Sequence, residues 1–185
     1  MARHELERMT IQILYSSTEG QARRIAERVD EELRGRGHVT QCENVAKAVM
    51  WTKPNAILLI ASIHVGKHAS AARNLIKANL PLFNEIPSGF LSVSLSANEA
   101  DRTRAHGYVR DFMEETGWRP ELTATVAGAL RYTDYNFVKK LMIKRIATES
   151  GLPTDTSRNH EFTDWDEVAT FVDAFEQSLQ PAAVR

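Results

Sequence analysis

Short apolar runs alternate with stretches whose apolar residues recur every three or four positions, and this alternation predicts the elements. MTIQILYS, Met9 to Ser16, reads as a first strand. Gln21 to Arg34 reads as a helix with Ile25, Val29 and Leu33 on one stripe, stopped by GRG. HVTQCENV gives a short second strand of alternating character. NAILLIAS, Asn55 to Ser62, is continuously apolar, the pattern of a strand covered by helices on both faces of a parallel sheet. After the loop SIHVGKHAS comes a helix from Ser70 to about Asn79. A fourth strand follows over Ser88 to Ser96, a helix from about Ala100 to Thr116, and a fifth strand over Leu122 to Leu130. TDWDEVATFVDAFEQSL forms the last helix, with Thr163 or Asp164 as its cap and Val168, Phe171, Val172 and Phe175 facing the core.

Strands alternating with helices predict an α/β fold, a right-handed, doubly wound parallel sheet. Ligands of such a sheet bind beyond the carboxyl ends of the strands, where the first and third strands diverge. The loops at Ser16 to Gln21, Ser62 to His68, Ser96 to Asp101 and from Arg131 onward are therefore the places to look. Arg131 to Glu161 breaks the alternation and contains a helical stretch of its own, YNFVKKLMIKRIATES. Long additions of this kind in compact domains are usually functional or disordered, and the apolar periodicity here favours function or docking.

Composition narrows the classes. The 185 residues, 43% hydrophobic and 25% charged, suit one globular domain over 9–185, with 1–8 as a charged extension. A net charge of -1 excludes a basic polyanion-binding domain and a strongly acidic electron carrier. Cys42 is the single cysteine, so no internal disulfide forms and no Cys/His zinc cluster is offered; a reducing, cytoplasmic compartment is expected. The charged amino terminus has no following signal-peptide core, and AILLIA is far shorter than the roughly 20 apolar residues a membrane span needs.

The loop SSTEGQ presents hydroxyls, a glycine and free backbone N–H groups at the positive end of a helix dipole. It holds no lysine or arginine, no Walker signature and no GxGxxG, so a phosphate monoester on neutral donors, as in a flavin mononucleotide, fits better than a nucleoside triphosphate or a dinucleotide. The alternative is that Ser17 or Thr18 merely caps the helix. In SIHVGKHAS, Ser62 and Gly66 permit close approach of a planar ring, and His64 and His68 are candidate acid–base groups or plain loop histidines. No flavin-stacking aromatic is evident in the second or fourth loop. Arg131 leaves the fifth strand with a fork suited to a carboxylate, or to a salt bridge. Phe137, Leu141 and Met142 form an apolar band flanked by Lys139, Lys140, Lys144 and Arg145, which suits an anionic membrane surface or ordinary core packing. Trp118 and Trp165 read as packing anchors.

ILYSSTEGQARRIA, ASIHVGKHASA, FLSVSL, VAGALRYTDYNFVKKLMIKRI, TDTS and EFTDWDEVA together resemble the flavodoxin superfamily, and within it the flavodoxin-fold protoporphyrinogen IX dehydrogenases that use menaquinone. That resemblance implies a five-stranded sheet of order 2-1-3-4-5 with the 131–161 insertion. It also implies a non-covalent FMN, with its phosphate on Ser16, Ser17, Thr18, Gly20 and Gln21. The ring would lie between Ser62, Ile63, His64, Val65 and Gly66 on one side and Ser94, Leu95 and Ser96 on the other. The implied reaction is oxidation of protoporphyrinogen IX to protoporphyrin IX in heme biosynthesis, with a quinone as acceptor. Arg131 and His64 are the candidate catalytic side chains, and 136–146 the peripheral contact with the inner face of the cell membrane. A flavodoxin-like electron carrier and an NAD(P)H:quinone reductase are the alternatives. No metal and no nucleic acid is expected.

Overall fold

A computed structural model describes residues 8–51, 53–134, 148 and 153–179. In chain order its elements are β1 (Thr10–Ser16), α1 (Gln21–Gly35), β2 (Val39–Asn44), β3 (Ala56–His64), β4 (Lys67–His68), α2 (Ser70–Ala78), α3 (Leu80–Glu85) and β5 (Ser88–Ser94). They continue with α4 (Thr103–Thr116), β6 (Leu122–Ala127), β7 (Ala129–Leu130), β8 (His160–Glu161) and α5 (Trp165–Ser178). The principal sheet runs β2-β1-β3-β5-β6, all parallel, with β4 added antiparallel to β3. This is the expected order, reached through the expected crossovers.

The period-two alternation of β3 divides the interior into two cores. Ala56, Leu58 and Ile60 face one layer with Ile11 and Ile13, under Ile25, Val29 and Leu33 of α1 and Val168, Phe171 and Phe175 of α5. Ile57, Leu59 and Ala61 face the other, under Ala72 and Ile76 of α2, Phe83 of α3 and Val109 and Phe112 of α4. Both faces are therefore dry over Ala56 to Ala61, which is why the strand is apolar at each of those positions. Trp118 is fully buried in the second layer, its indole N–H bonded to Phe83 O at 3.2 Å and Ser88 Oγ at 3.1 Å. Trp51 donates its backbone N–H to Gln12 Oε1 at 3.0 Å and its indole N–H to Gln41, fastening the approach to β3 against β1 and β2.

Four boundaries differ from the sequence reading by two residues or more, each for a structural reason. β3 continues past Ser62 to His64, because a two-residue turn folds Lys67 and His68 back on Ile63 and His64. β5 stops at Ser94 and turns into a 3₁₀ segment at Leu95–Asn98, and α4 starts at Thr103 rather than Ala100. The fifth strand is split at Gly128, whose N–H bonds to Ser94 O while its carbonyl accepts from Phe162, so pairing passes from the main sheet to a β7–β8 ribbon. α3, six residues with Pro81 in its first turn, was not expected; so short a helix gives no periodicity to read. The expected 1–8 extension, apart from Arg8, and the basic amphipathic helix across 136–146 lie outside the described residues.

Candidate functional site

At the carboxyl ends of β1, β3, β5 and β6 lies a cleft of about 600 Å³. Its floor begins with the bend between β1 and α1. Gly20 sits at φ +89°, the left-handed conformation glycine permits, and Ser17 Oγ accepts the Gly20 N–H at 2.9 Å. Gly20 is the residue before the helix, and no side chain caps α1. The hydroxyl of Ser17 thus shapes the turn instead of capping the helix, and the first-turn N–H groups keep their partial positive charge toward the cleft. Ser62 ties the two loops together: its hydroxyl donates to Ser16 O and accepts from the Thr18 N–H, each at 3.3 Å.

The second wall is the hairpin of β3 and β4. Both central residues of its turn, Val65 at φ +49° and Gly66 at φ +74°, are left-handed, the geometry that suits the twist of paired strands. Val65 is β-branched, disfavours that region and is 85% exposed at the tip. An apolar side chain held in strain at the edge of a cleft is a feature met at ligand sites.

The third wall is the turn after β5. Ser94 is 6% exposed, and its hydroxyl finds no hydrogen-bonding partner among the described residues. A buried, unpaired hydroxyl costs stability unless something else satisfies it, and this one lies on the cleft lining with Ser96.

Of the residues expected from sequence, Ser17, Thr18, Gln21, Ser62 to Gly66 and Ser94 to Ser96 line this cleft. Ser16 is buried behind it, Gly20 forms the turn, and Arg131 stands just past Leu130, which does line it. His64 lies on the exposed rim. His68 does not reach the cleft. It is 3% exposed, bonded through Nε2 to Ser92 Oγ at 3.0 Å and packed against Phe90 and Phe112. Burial first, and the nearby Arg73 second, push its pKa down to about 3, so it is a neutral core histidine and not an acid–base group.

Sequence reasoning missed Arg104 and Tyr108, which enter the cleft from α4, and Gly128 and Ala129. The aromatic side chain on the cleft lining, Tyr108, comes from a helix and not from a loop. Its only signal was the four-residue spacing of Arg104 and Tyr108, which puts both on one face.

The two described ends of the 131–161 segment are stapled together beside the cleft. β7 pairs with β8, Tyr132 OH donates to Pro153 O at 3.1 Å, and Thr133 bonds through its N–H and hydroxyl to Asn159 Oδ1. Burial raises the pKa of the Tyr132 phenol, which keeps it a donor. Among the described residues no His, Cys, Asp and Glu cluster could hold a metal ion.

The donors present fit a flavin mononucleotide: neutral N–H and hydroxyl groups at a helix start for a phosphate monoester, an orphaned hydroxyl, and a cavity of cofactor size.

Comparison with known proteins agrees with this architecture. A family model described as a flavodoxin domain matches residues 12–157. The protoporphyrinogen IX dehydrogenase [quinone] of Escherichia coli strain K12 is 36% identical over 163 residues, covering 86% of this chain and 90% of that protein. The enzyme of the same name from Leishmania major is 31% identical over 169 residues, covering 88% of this chain and 73% of that protein. Among solved structures, a point mutant of Pseudomonas aeruginosa flavodoxin superposes with a TM-score of 0.55 at 17% identity, over 94% of this chain and all of that one, a likeness of fold alone. The chain belongs to the flavodoxin-domain family and, within it, to the family of the quinone-type protoporphyrinogen IX dehydrogenases.

Proposed function

We propose that this protein is an FMN-dependent oxidoreductase that converts protoporphyrinogen IX to protoporphyrin IX and delivers the electrons to a quinone. The observation that carries the reading is the cleft whose phosphate end has only neutral donors and whose far end carries the unpaired Ser94 hydroxyl, in a chain 36% identical to a dehydrogenase of that name. When bound, the flavin supplies the redox chemistry, taking electrons from the macrocycle in pairs.

The chain's own residues bind, orient and shield. Ser17, Thr18 and the first-turn N–H groups of α1 hold the phosphate through hydrogen bonds and the helix dipole, with no cation in the loop itself. The hydroxyls of Ser94 and Ser96 donate to the polar edge of the ring, while Ile63 to Gly66 and Tyr108 give it apolar and aromatic surface. Arg131, at the stem of the insertion, receives a propionate of the substrate through its planar fork. His64 on the rim takes up a proton released from the macrocycle. Lys139, Lys140, Lys144 and Arg145, around Phe137, Leu141 and Met142, support a peripheral contact with an anionic membrane that holds the quinone.

The test is anaerobic reduction of the FMN-loaded protein. Protoporphyrinogen IX should bleach the flavin and produce porphyrin fluorescence, and a menaquinone analogue should restore the oxidised flavin spectrum. Rapid bleaching by NADPH with none by the porphyrinogen would make the protein a nicotinamide-dependent reductase instead.

A further inference from the structure

The first residue of α1, Gln21, is 5% exposed, and its side chain is held on three sides. Its Nε2 donates to Glu161 Oε1 at 3.1 Å and to Thr163 Oγ1 at 2.8 Å, and its Oε1 accepts from Arg131 Nη2 at 3.4 Å. The orientation of the amide is dictated by its neighbours. A carboxylate only accepts, and the single proton of the Thr163 hydroxyl is committed to Ala127 O at 2.8 Å. Both of those neighbours therefore require an NH₂ group, which turns the amide oxygen toward Arg131. Glu161 is fixed in turn by Arg24 Nη1 at 2.5 Å and the Trp165 indole N–H at 3.0 Å, with the Arg24 guanidinium 5.6 Å over the Trp165 ring. Residues 131 and 161, the two ends of the long segment, thus meet on one amide of the phosphate loop.

We propose that Glu161 and Gln21 are positioning residues for substrate recognition: Glu161 sets the Gln21 amide, and the amide oxygen steers the Arg131 guanidinium that receives a substrate carboxylate. This rests on the reading of Arg131 given above. Neither Glu161 nor Gln21 contacts the substrate carboxylate; each acts through the next group in the series. At 3.4 Å the last contact guides the guanidinium plane without locking it, so losing Glu161 shifts recognition of the anion and spares electron transfer.

The test uses the full chain saturated with FMN. Glu161→Ala should raise KM for protoporphyrinogen IX about tenfold, as expected for a misplaced charge-assisted bond, with kcat changed less than about twofold. Affinity for the diacid protoporphyrin IX should fall in parallel, while affinity for its dimethyl ester, which has no carboxylate, should not change. Arg131→Gln should produce a loss at least as large, and adding Glu161→Ala to it should cost nothing more. Should Glu161→Ala not fold, Glu161→Leu keeps most of the volume, offers no acceptor to the Gln21 amide, and carries the same expectation.

Additive losses in the double variant, an equal loss for diacid and diester, or a fall in kcat with KM unchanged would each overturn the relay. If Arg131→Gln weakens the diacid and Glu161→Ala does not, the relay alone fails. If Arg131→Gln leaves diacid affinity unchanged, the assignment of Arg131 to the carboxylate fails, and the relay with it.

Discussion

Ser94 and His68 are buried polar side chains on neighbouring stretches of sheet with opposite solutions to burial. The Ser94 hydroxyl has no partner among the described residues, so its desolvation is uncompensated until a ligand supplies a hydrogen bond. Ser94→Ala should therefore stabilise the FMN-free protein by about 1 kcal/mol in urea unfolding and weaken FMN binding about fivefold by fluorescence titration. His68 is satisfied by Ser92 and two aromatic rings, and stays neutral because burial and Arg73 push its pKa from 6.5 down to about 3. Between those values the unfolded chain binds the extra proton and the folded one does not. Stability from this residue is complete above pH 6.5 and drains as the pH falls toward 3, with a slope of up to about 1.4 kcal/mol per pH unit. His68→Phe should flatten the fall of the urea midpoint between pH 7 and 5. From sequence His64 and His68 were alike, since both lie in one polar loop; only the backward fold of β4 buries one and exposes the other.

At the scale of elements, the helices other than α3 were legible because each carries an apolar stripe of the right period, and the cap of α5 was legible because Asp164 precedes it. Asp164 Oδ1 accepts from the N–H groups of Asp166 and Glu167 at 2.9 and 3.3 Å. The alternative cap, Thr163, instead donates to Ala127 O, a tertiary contact that local pattern cannot reveal. α5 packs closely on the sheet at Gly89 in β5, where an added Cβ would stand 2.8 Å from Leu58 Cδ1 and 3.0 Å from the Phe175 ring. Gly89→Ala should cost roughly 1–3 kcal/mol by thermal or urea unfolding, through overpacking of the first core. The division of the fifth strand at Gly128 had no sequence signature, because GAL continues the apolar run; what ends it is the pairing of Ala129 and Leu130 with residues some thirty positions on.

For the whole molecule, cofactor and stability are linked. Binding to the folded state alone at a hundredfold excess over Kd adds about 2.7 kcal/mol, which for a chain of this size raises the thermal midpoint by roughly 5–10 °C. A midpoint indifferent to FMN would argue that the cleft does not hold it. No helix among the described residues is long and apolar enough to cross a membrane. The peripheral contact proposed above rests on charge and should depend on salt. Sedimentation with vesicles containing anionic lipid should fall as salt rises, and replacing Lys139, Lys140, Lys144 and Arg145 with glutamine should abolish it. The sequence by itself determined the fold class and the two polar loops, because apolar periodicity and the absence of Walker and dinucleotide signatures are local properties. Its resemblance to a known family carried the strand order and the reaction. Tertiary structure alone decided that α4 lends Arg104 and Tyr108 to the cleft, that His68 is core, and that Gln21 joins Arg131 to Glu161. Those contacts join residues as many as 140 positions apart, and their energies depend on burial and donor geometry, which exist only once the chain is packed.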